Sequence, residues 1–219
     1  MKRWMVALLG ILVIFSFTAC GNQKENNSDD INTEVSDSKG SALQENLVTD
    51  KRKLEDRMEK KSSTAVVYFS ATGTTKEVAG TIAEVLGTEA VEIIPQEEYS
   101  SEDLDYNNDN CRANKEMNDD SSRPAIKNDL SKVKECDTVY VGYPIWWGTA
   151  PRIIQTFFET YDLSGKTVYL FCTSGGSDIE QSVQDLQEKY NDVNIVSGKR
   201  FSEGVSKEEI REWVDKLKE

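Results

Sequence analysis

From Ser63 to the end of the chain, apolar and polar positions repeat one cycle: a short apolar run, a polar loop, then a stretch spaced like a helix. Thr64-Ala65-Val66-Val67-Tyr68-Phe69 predicts a buried strand, with a helix following from about Thr75 to Leu86. Glu89 to Ile94 reads as a second strand, stopped by Pro95. Thr138 to Gly142 is a third, and Pro151 to Tyr161 a helix with proline at its first turn. Val168 to Cys172 is a fourth strand, with a helix from about Ile179 to Tyr190. Val193 to Val196 begins a fifth, and Lys207 to Lys218 closes as an amphipathic helix. Short apolar runs divided by helical patterns imply a parallel sheet covered on both faces. Five such units predict a doubly wound, five-stranded α/β domain over residues 63–219, with ligands at the carboxyl ends of its strands.

The cycle breaks once. Gln96 to Ile126 spans 31 residues without periodicity and contains Tyr99, Tyr106, Arg112, Arg123 and many acids. It is too short to bury a core of its own, since even about 40 residues usually needs disulfides or metals. It has no histidine for zinc and only Cys111 for a disulfide. Loops of this length in compact domains are usually functional or disordered. The expectation is a mobile cover and docking surface at the ligand-binding edge, with Tyr99, Tyr106 and Arg123 near a bound ring. A solvated, disordered insert is the alternative.

The first sixty residues follow another logic. Lys2 and Arg3 precede an almost unbroken apolar run, Trp4 to Phe17, and after Thr18-Ala19-Cys20 the chain turns polar at once. A basic start, a short apolar stretch and small residues before a cut site make a secretory signal over residues 1–19. It is too short for a comfortable membrane span of about 20 apolar residues. Phe17-Thr18-Ala19-Cys20 resembles the lipobox of bacterial lipoproteins, with Phe17 where leucine is preferred. That resemblance implies lipidation at Cys20 and an extracytoplasmic protein anchored to a bacterial membrane without a spanning helix. Residues 21–62 hold no Trp, Tyr or Phe and few large apolar residues, so they read as a polar tether.

Charge and composition then narrow the chemistry. From Ser63 onward 16 Lys and Arg face 29 Asp and Glu, a formal charge of −13, which argues against a nucleic-acid partner. The chain contains no histidine, which removes the Ser-His-Asp triad and the His-Glu-x-x-His zinc site. Cys111, Cys136 and Cys172 are far apart, so neither a metal site nor a dithiol motif is expected. Cys172, at the end of an apolar run, reads as a small core residue.

Three loops carry the candidate chemistry. Ser70-Ala71-Thr72-Gly73-Thr74-Thr75 lies between a strand and a helix start, where free amides and the helix dipole favour an anion. It lacks Gly-Lys-Ser/Thr and Gly-x-Gly-x-x-Gly, so a mononucleotide fits better than a triphosphate or a dinucleotide. A helix cap with incidental hydroxyls is the alternative. Gly142-Tyr143-Pro144-Ile145-Trp146-Trp147-Gly148-Thr149-Ala150-Pro151 sets three aromatics at a strand end, able to offer a flat apolar wall to a planar ring. Thr173-Ser174-Gly175-Gly176-Ser177-Asp178 has two glycines that let backbone approach a ligand, or is a plain turn capped by Ser177 or Asp178.

Together these loops resemble the flavodoxin-like family, whose phosphate loop has the form Ser/Thr-x-Thr-Gly-x-Thr. The Tyr-Pro-Ile-Trp-Trp-Gly segment is similar to that of a bacterial branch often found as lipoproteins. The resemblance implies strand order 2-1-3-4-5 and a bound FMN. By motif position, Ser70, Thr72, Gly73, Thr74 and Thr75 would hold the phosphate. Pro144, Ile145, Trp146, Trp147 and Gly148 would line the isoalloxazine, with Thr173, Ser174, Gly175 and Gly176 at its other edge. The flavin would carry the electron chemistry, so no catalytic side chain is expected. Three functions follow: an electron carrier docking a redox partner protein, an FMN-dependent reductase of quinones or other small acceptors, or a cofactor-free binding module. The intact loops speak against the last, and the scarcity of reduced nicotinamide outside the cytoplasm favours the carrier.

Overall fold

The computed structural model describes residues 63–218; the signal-like segment, Cys20 and the tether lie outside the described residues. Five strands form one parallel sheet in the order β2-β1-β3-β4-β5. These are β1 (Thr64–Tyr68), β2 (Ala90–Glu92), β3 (Thr138–Pro144), β4 (Thr167–Thr173) and β5 (Asn194–Phe201). The helices are α1 (Thr74–Leu86), α2 (Arg112–Asn118), α3 (Arg152–Thr160), α4 (Glu180–Lys189) and α5 (Lys207–Lys216).

Strand residues alternate between two cores, as a sheet covered on both faces requires. Val67, Val139, Val141, Val168 and Leu170 face a core with Ile153, Ile154, Phe157 and Leu186 of α3 and α4. Val66, Tyr140 and Phe171 face the opposite core, with Val78 and Ile82 of α1 and Ile210 and Val214 of α5. Cys172 sits in the first core with no exposure, and burial pushes its thiol up to about 12. The closing helix begins on a side-chain cap: Ser206 accepts the Glu209 N–H at 3.2 Å, and Glu208 and Glu209 fill the first turn.

Two boundaries differ from the sequence pattern. The second strand ends at Glu92, because the chain turns away to pair elsewhere: Pro95 and Ile126 form an antiparallel bridge. The Gln96 and Lys127 amides donate to Ala125 and Ile94 carbonyls at 2.7 and 2.8 Å. Asn128 completes the seam, accepting from the Ile94 N–H and donating to the Glu92 carbonyl. The third strand instead runs on to Pro144, carrying the aromatic loop outward from the sheet edge.

The stretch between β2 and β3 is not an unstructured insert. It carries α2, and Cys111, Ala113 and Met117 are buried in the α3–α4 core, with Tyr99 and Leu104 packed against it. Arg152 of α3 fastens the far end of α2. Its guanidinium donates to the Met117 carbonyl at 2.9 Å, the Glu116 carbonyl at 3.3 Å and the Asp120 carboxylate at 2.5 Å. A helix end leaves such carbonyls without partners, and a cation is well placed to take them. Arg123 makes a two-pronged bond to Glu159 at 2.8 and 2.9 Å, away from the sheet edge where a ring was expected to meet it.

Candidate functional site

At the carboxyl ends of β1, β3 and β4 the loops enclose a cleft of about 220 Å³. Its walls are Ala71, Thr72 and Thr74 from the first loop, Pro144, Ile145 and Trp146 from the second, and Thr173, Ser174 and Gly175 from the third. Leu104 and Tyr106 of the β2–β3 stretch and Glu203 after β5 complete it. Three of the sequence-assigned loops therefore meet at one place.

The first loop is built to keep donors free. Gly73 caps α1 at φ 99°, where an L side chain would be strained, and no side chain bonds the first turn. The first helical hydrogen bond is made by the Glu77 N–H to the Gly73 carbonyl, which leaves the preceding amides to face the loop. Ser70 braces the turn by accepting the Gly73 N–H at 3.1 Å. Thr75 is almost fully buried, and its hydroxyl lies 2.7 Å from that of Thr173. Two hydroxyls in contact use one hydrogen between them, so the pair ties the first and third loops and keeps a second hydrogen to donate.

The second loop separates its two tryptophans. Trp146 is buried and lines the cleft, packed edge-to-face on Phe69 at 5.6 Å and Tyr99 at 5.2 Å. Tyr99 is itself fixed: its hydroxyl donates to Glu116 at 2.5 Å, and the Arg112 guanidinium lies 4.0 Å from its ring centre. Burial, helped by Glu116, pushes the Tyr99 phenol far above its usual range, so it stays protonated. Trp147 is 44% exposed and packs on Tyr106 of the cleft lining, with ring centres 5.0 Å apart.

The cause is a two-residue hairpin. Trp146 and Thr149 exchange backbone hydrogen bonds of 3.0 Å each, and Trp147 and Gly148 both take positive φ, 49° and 81°. This is the type I′ pattern, which favours Asn or Gly at the position Trp147 occupies. A left-handed L-residue costs roughly 1–2 kcal/mol. Asp185 of α4 anchors the hairpin, accepting from Thr149 Oγ1 at 2.5 Å and from Gln181 at 2.8 Å.

The third loop is held from β5. Arg200 reaches the Ser174 carbonyl at 3.4 Å and lies 3.8 Å from Asp178. Gly176 donates to Ser174 Oγ at 3.1 Å, next to Gly175 on the cleft wall. Neither Ser177 nor Asp178 caps the following helix, which starts from Ile179 without a side-chain cap.

A mononucleotide needs uncapped amides and hydroxyls for a phosphate and an apolar wall for a ring. Both are present, and Glu203 is the single charged residue lining the cleft. Among the described residues, no group of three His, Cys, Asp or Glu side chains is placed to hold a metal. Leu104 and Glu203 were missed from sequence. The rule that ligands gather at all the strand ends would have pointed to the β5 loop, and hence to Glu203.

The family model for flavodoxin matches residues 63–217. The chain belongs to the flavodoxin family. Two solved structures of candidate flavoproteins are similar to this flavodoxin at 43% identity, from Bacteroides eggerthii and Bacteroides uniformis. They cover 73% and 71% of this chain and 99% of their own, each with a TM-score of 0.68. A Lactobacillus acidophilus flavoprotein in complex with FMN shares the fold at 23% identity, covering 72% of this chain and 99% of its own, with a TM-score of 0.57. No curated protein matches the chain.

Proposed function

We propose that this flavodoxin binds FMN and transfers electrons while tethered by a lipid on Cys20 to the outer face of a bacterial membrane. The observation that carries the reading is the uncapped first turn of α1, opening with Thr72 and Thr74 onto a cleft walled by Trp146. Ser70, Thr72, Gly73, Thr74 and Thr75 form the phosphate cradle. Pro144, Ile145 and Trp146 form one wall for the ring, and Thr173 to Gly176 its other edge. Bound FMN supplies one- and two-electron chemistry; the chain supplies orientation, exclusion of water and a fixed electrostatic field. Tyr99, kept protonated behind Trp146, stiffens the wall without adding charge. The acidic domain suits a basic redox partner, whose approach its field would steer.

Titration of flavin-free protein separates this reading from its rivals. FMN should bind at least tenfold tighter than FAD, because one phosphate-sized cradle is present and no second nucleotide fingerprint. Equal or tighter FAD binding removes the proposal. The anchor rests on the lipobox-like residues 17–20, and Cys20→Ala should abolish lipid labelling and release the protein from membranes. Unchanged labelling and fractionation would dismiss the anchor while leaving the flavin site untouched.

A further inference from the structure

Arg200 lies near the end of β5, beside the third loop, and its contacts leave it only partly matched. It is the register neighbour of Cys172, so both side chains point to the α3–α4 face of the sheet, just before that loop begins. Its terminal nitrogens reach the Ser174 carbonyl at 3.4 Å and Asp178 at 3.8 Å, both long for a guanidinium. The Asp178 side chain is 73% exposed against 31% for Arg200, so water screens the acid more than the cation. Among the described residues, Arg200 Nε is one of two buried side-chain polar atoms with no hydrogen-bond partner. A buried donor left unmet costs stability, and each such group calls for a reason.

The reason lies across one peptide. In a trans peptide the C=O and the following N–H point in opposite directions, and no described peptide is cis. With the Ser174 carbonyl turned to Arg200, the Gly175 N–H is turned away from it. Gly175 lines the cleft, and among the described residues nothing accepts its N–H. Arg200 itself does not line the cleft, so its charge acts there through this peptide. We infer that Arg200 is a positioning residue for the flavin: it presents the Gly175 amide to the edge of the ring, and its unmatched charge favours the reduced ring. Two electrons and one proton give a neutral ring one negative charge, and a fixed cation behind an aimed donor stabilises that charge. The inference deepens the electron-transfer reading and rests on it.

Potentiometric titration of the FMN-loaded full-length chain with dithionite, beside fluorescence titration with oxidised FMN, tests the assignment. Arg200→Met should weaken reduced FMN about tenfold more than oxidised FMN, which lowers the two-electron midpoint by about 30 mV. Arg200→Lys, which keeps the charge, should recover more than half of that shift. Should Arg200→Met fail to fold, Arg200→Gln, which keeps donors without the charge, should give the same lowered midpoint. In wild type the Gly175 amide resonance should move on FMN addition, and it should move less in the uncharged variant. A side chain that merely props the loop would weaken both forms of FMN alike and leave the midpoint in place. The inference is overturned by an unchanged midpoint in the uncharged variant, by Arg200→Lys behaving as that variant does, or by a Gly175 amide that ignores FMN. If wild type takes up no FMN, the electron-transfer reading falls and this inference with it. Normal uptake with an unmoved midpoint removes this inference alone.

Discussion

Two segments border the cleft, and they handle polar groups in opposite ways. The loop after β1 leaves the first amides of α1 without a side-chain cap, and its one internal brace is Ser70 on the Gly73 N–H. The stretch between β2 and β3 is far more polar, yet both its arginines are paired, Arg112 to Glu116 and Arg123 to Glu159, and Arg152 of α3 takes two of its carbonyls and Asp120. An unmet donor costs stability where it is buried and confers affinity where a ligand can reach it. A wall must be satisfied from within, whereas a cradle must wait for its partner.

The largest effect should come from breaking the wall. Arg152→Met keeps much of the side-chain volume but strands the Glu116 and Met117 carbonyls. A hydrogen bond to a charged group contributes about 1.5–3 kcal/mol, so a loss of roughly 3 kcal/mol is expected in urea unfolding. An unshifted midpoint would show that the segment is held by its apolar contacts alone. The cradle should respond the other way. Thr72→Val should lower FMN affinity about tenfold to a hundredfold, the equivalent of one such bond, while the unfolding midpoint barely moves. If the variant unfolds while its folded fraction binds FMN normally, the hydroxyl is a structural cap.

The smallest effect sharpens the comparison at its exposed edge. The hydrogen bond from Arg123 holds the Glu159 carboxyl below its ordinary value of 4.5, with burial opposing and Tyr190 assisting. A carboxyl depressed on folding contributes stability that is complete above its unfolded value and is lost as pH falls through its folded value. Arg123→Gln should therefore lower stability above pH 4.5 and flatten its decline in more acid solution. Urea midpoints across the acid range measure this, and the pair's exposure keeps the change modest. Parallel curves for the two proteins would mean that the ion pair adds nothing.

Much of this architecture was legible because parallel strands buried on both faces are unbroken apolar runs. Val139 to Val141 and Val168 to Cys172 could be little else. The three loops were legible for a related reason, since hydroxyls and glycines between a strand and a helix have few other uses. The β2–β3 stretch was not. Tyr99, Leu104, Ala113 and Met117 stand singly among acids, with no period to reveal one buried face. Arg152, which fastens the end of α2 from 32 to 36 residues further along the chain, is announced by no local pattern either. The fate of the tryptophan pair was hidden too. Adjacent residues in a strand would alternate sides, but the positive φ values of Trp147 and Gly148 set the direction here, and only Gly148 hints at the turn.

A parallel sheet also has a polarity that separates where the chain enters from where ligands gather. All five strands point the same way, so every ligand-facing loop lies at one pole, while Ser63 enters β1 at the other. There Ser63 Oγ donates to the Glu135 carbonyl at 2.6 Å, beside the starts of β3 and β4. Five residues of strand put roughly 16 Å of sheet between that entry point and the cleft. The chain therefore enters the described domain at the pole opposite the mouth of the cleft, and a change at the start of β1 reaches the ligand-facing loops only through the length of the sheet.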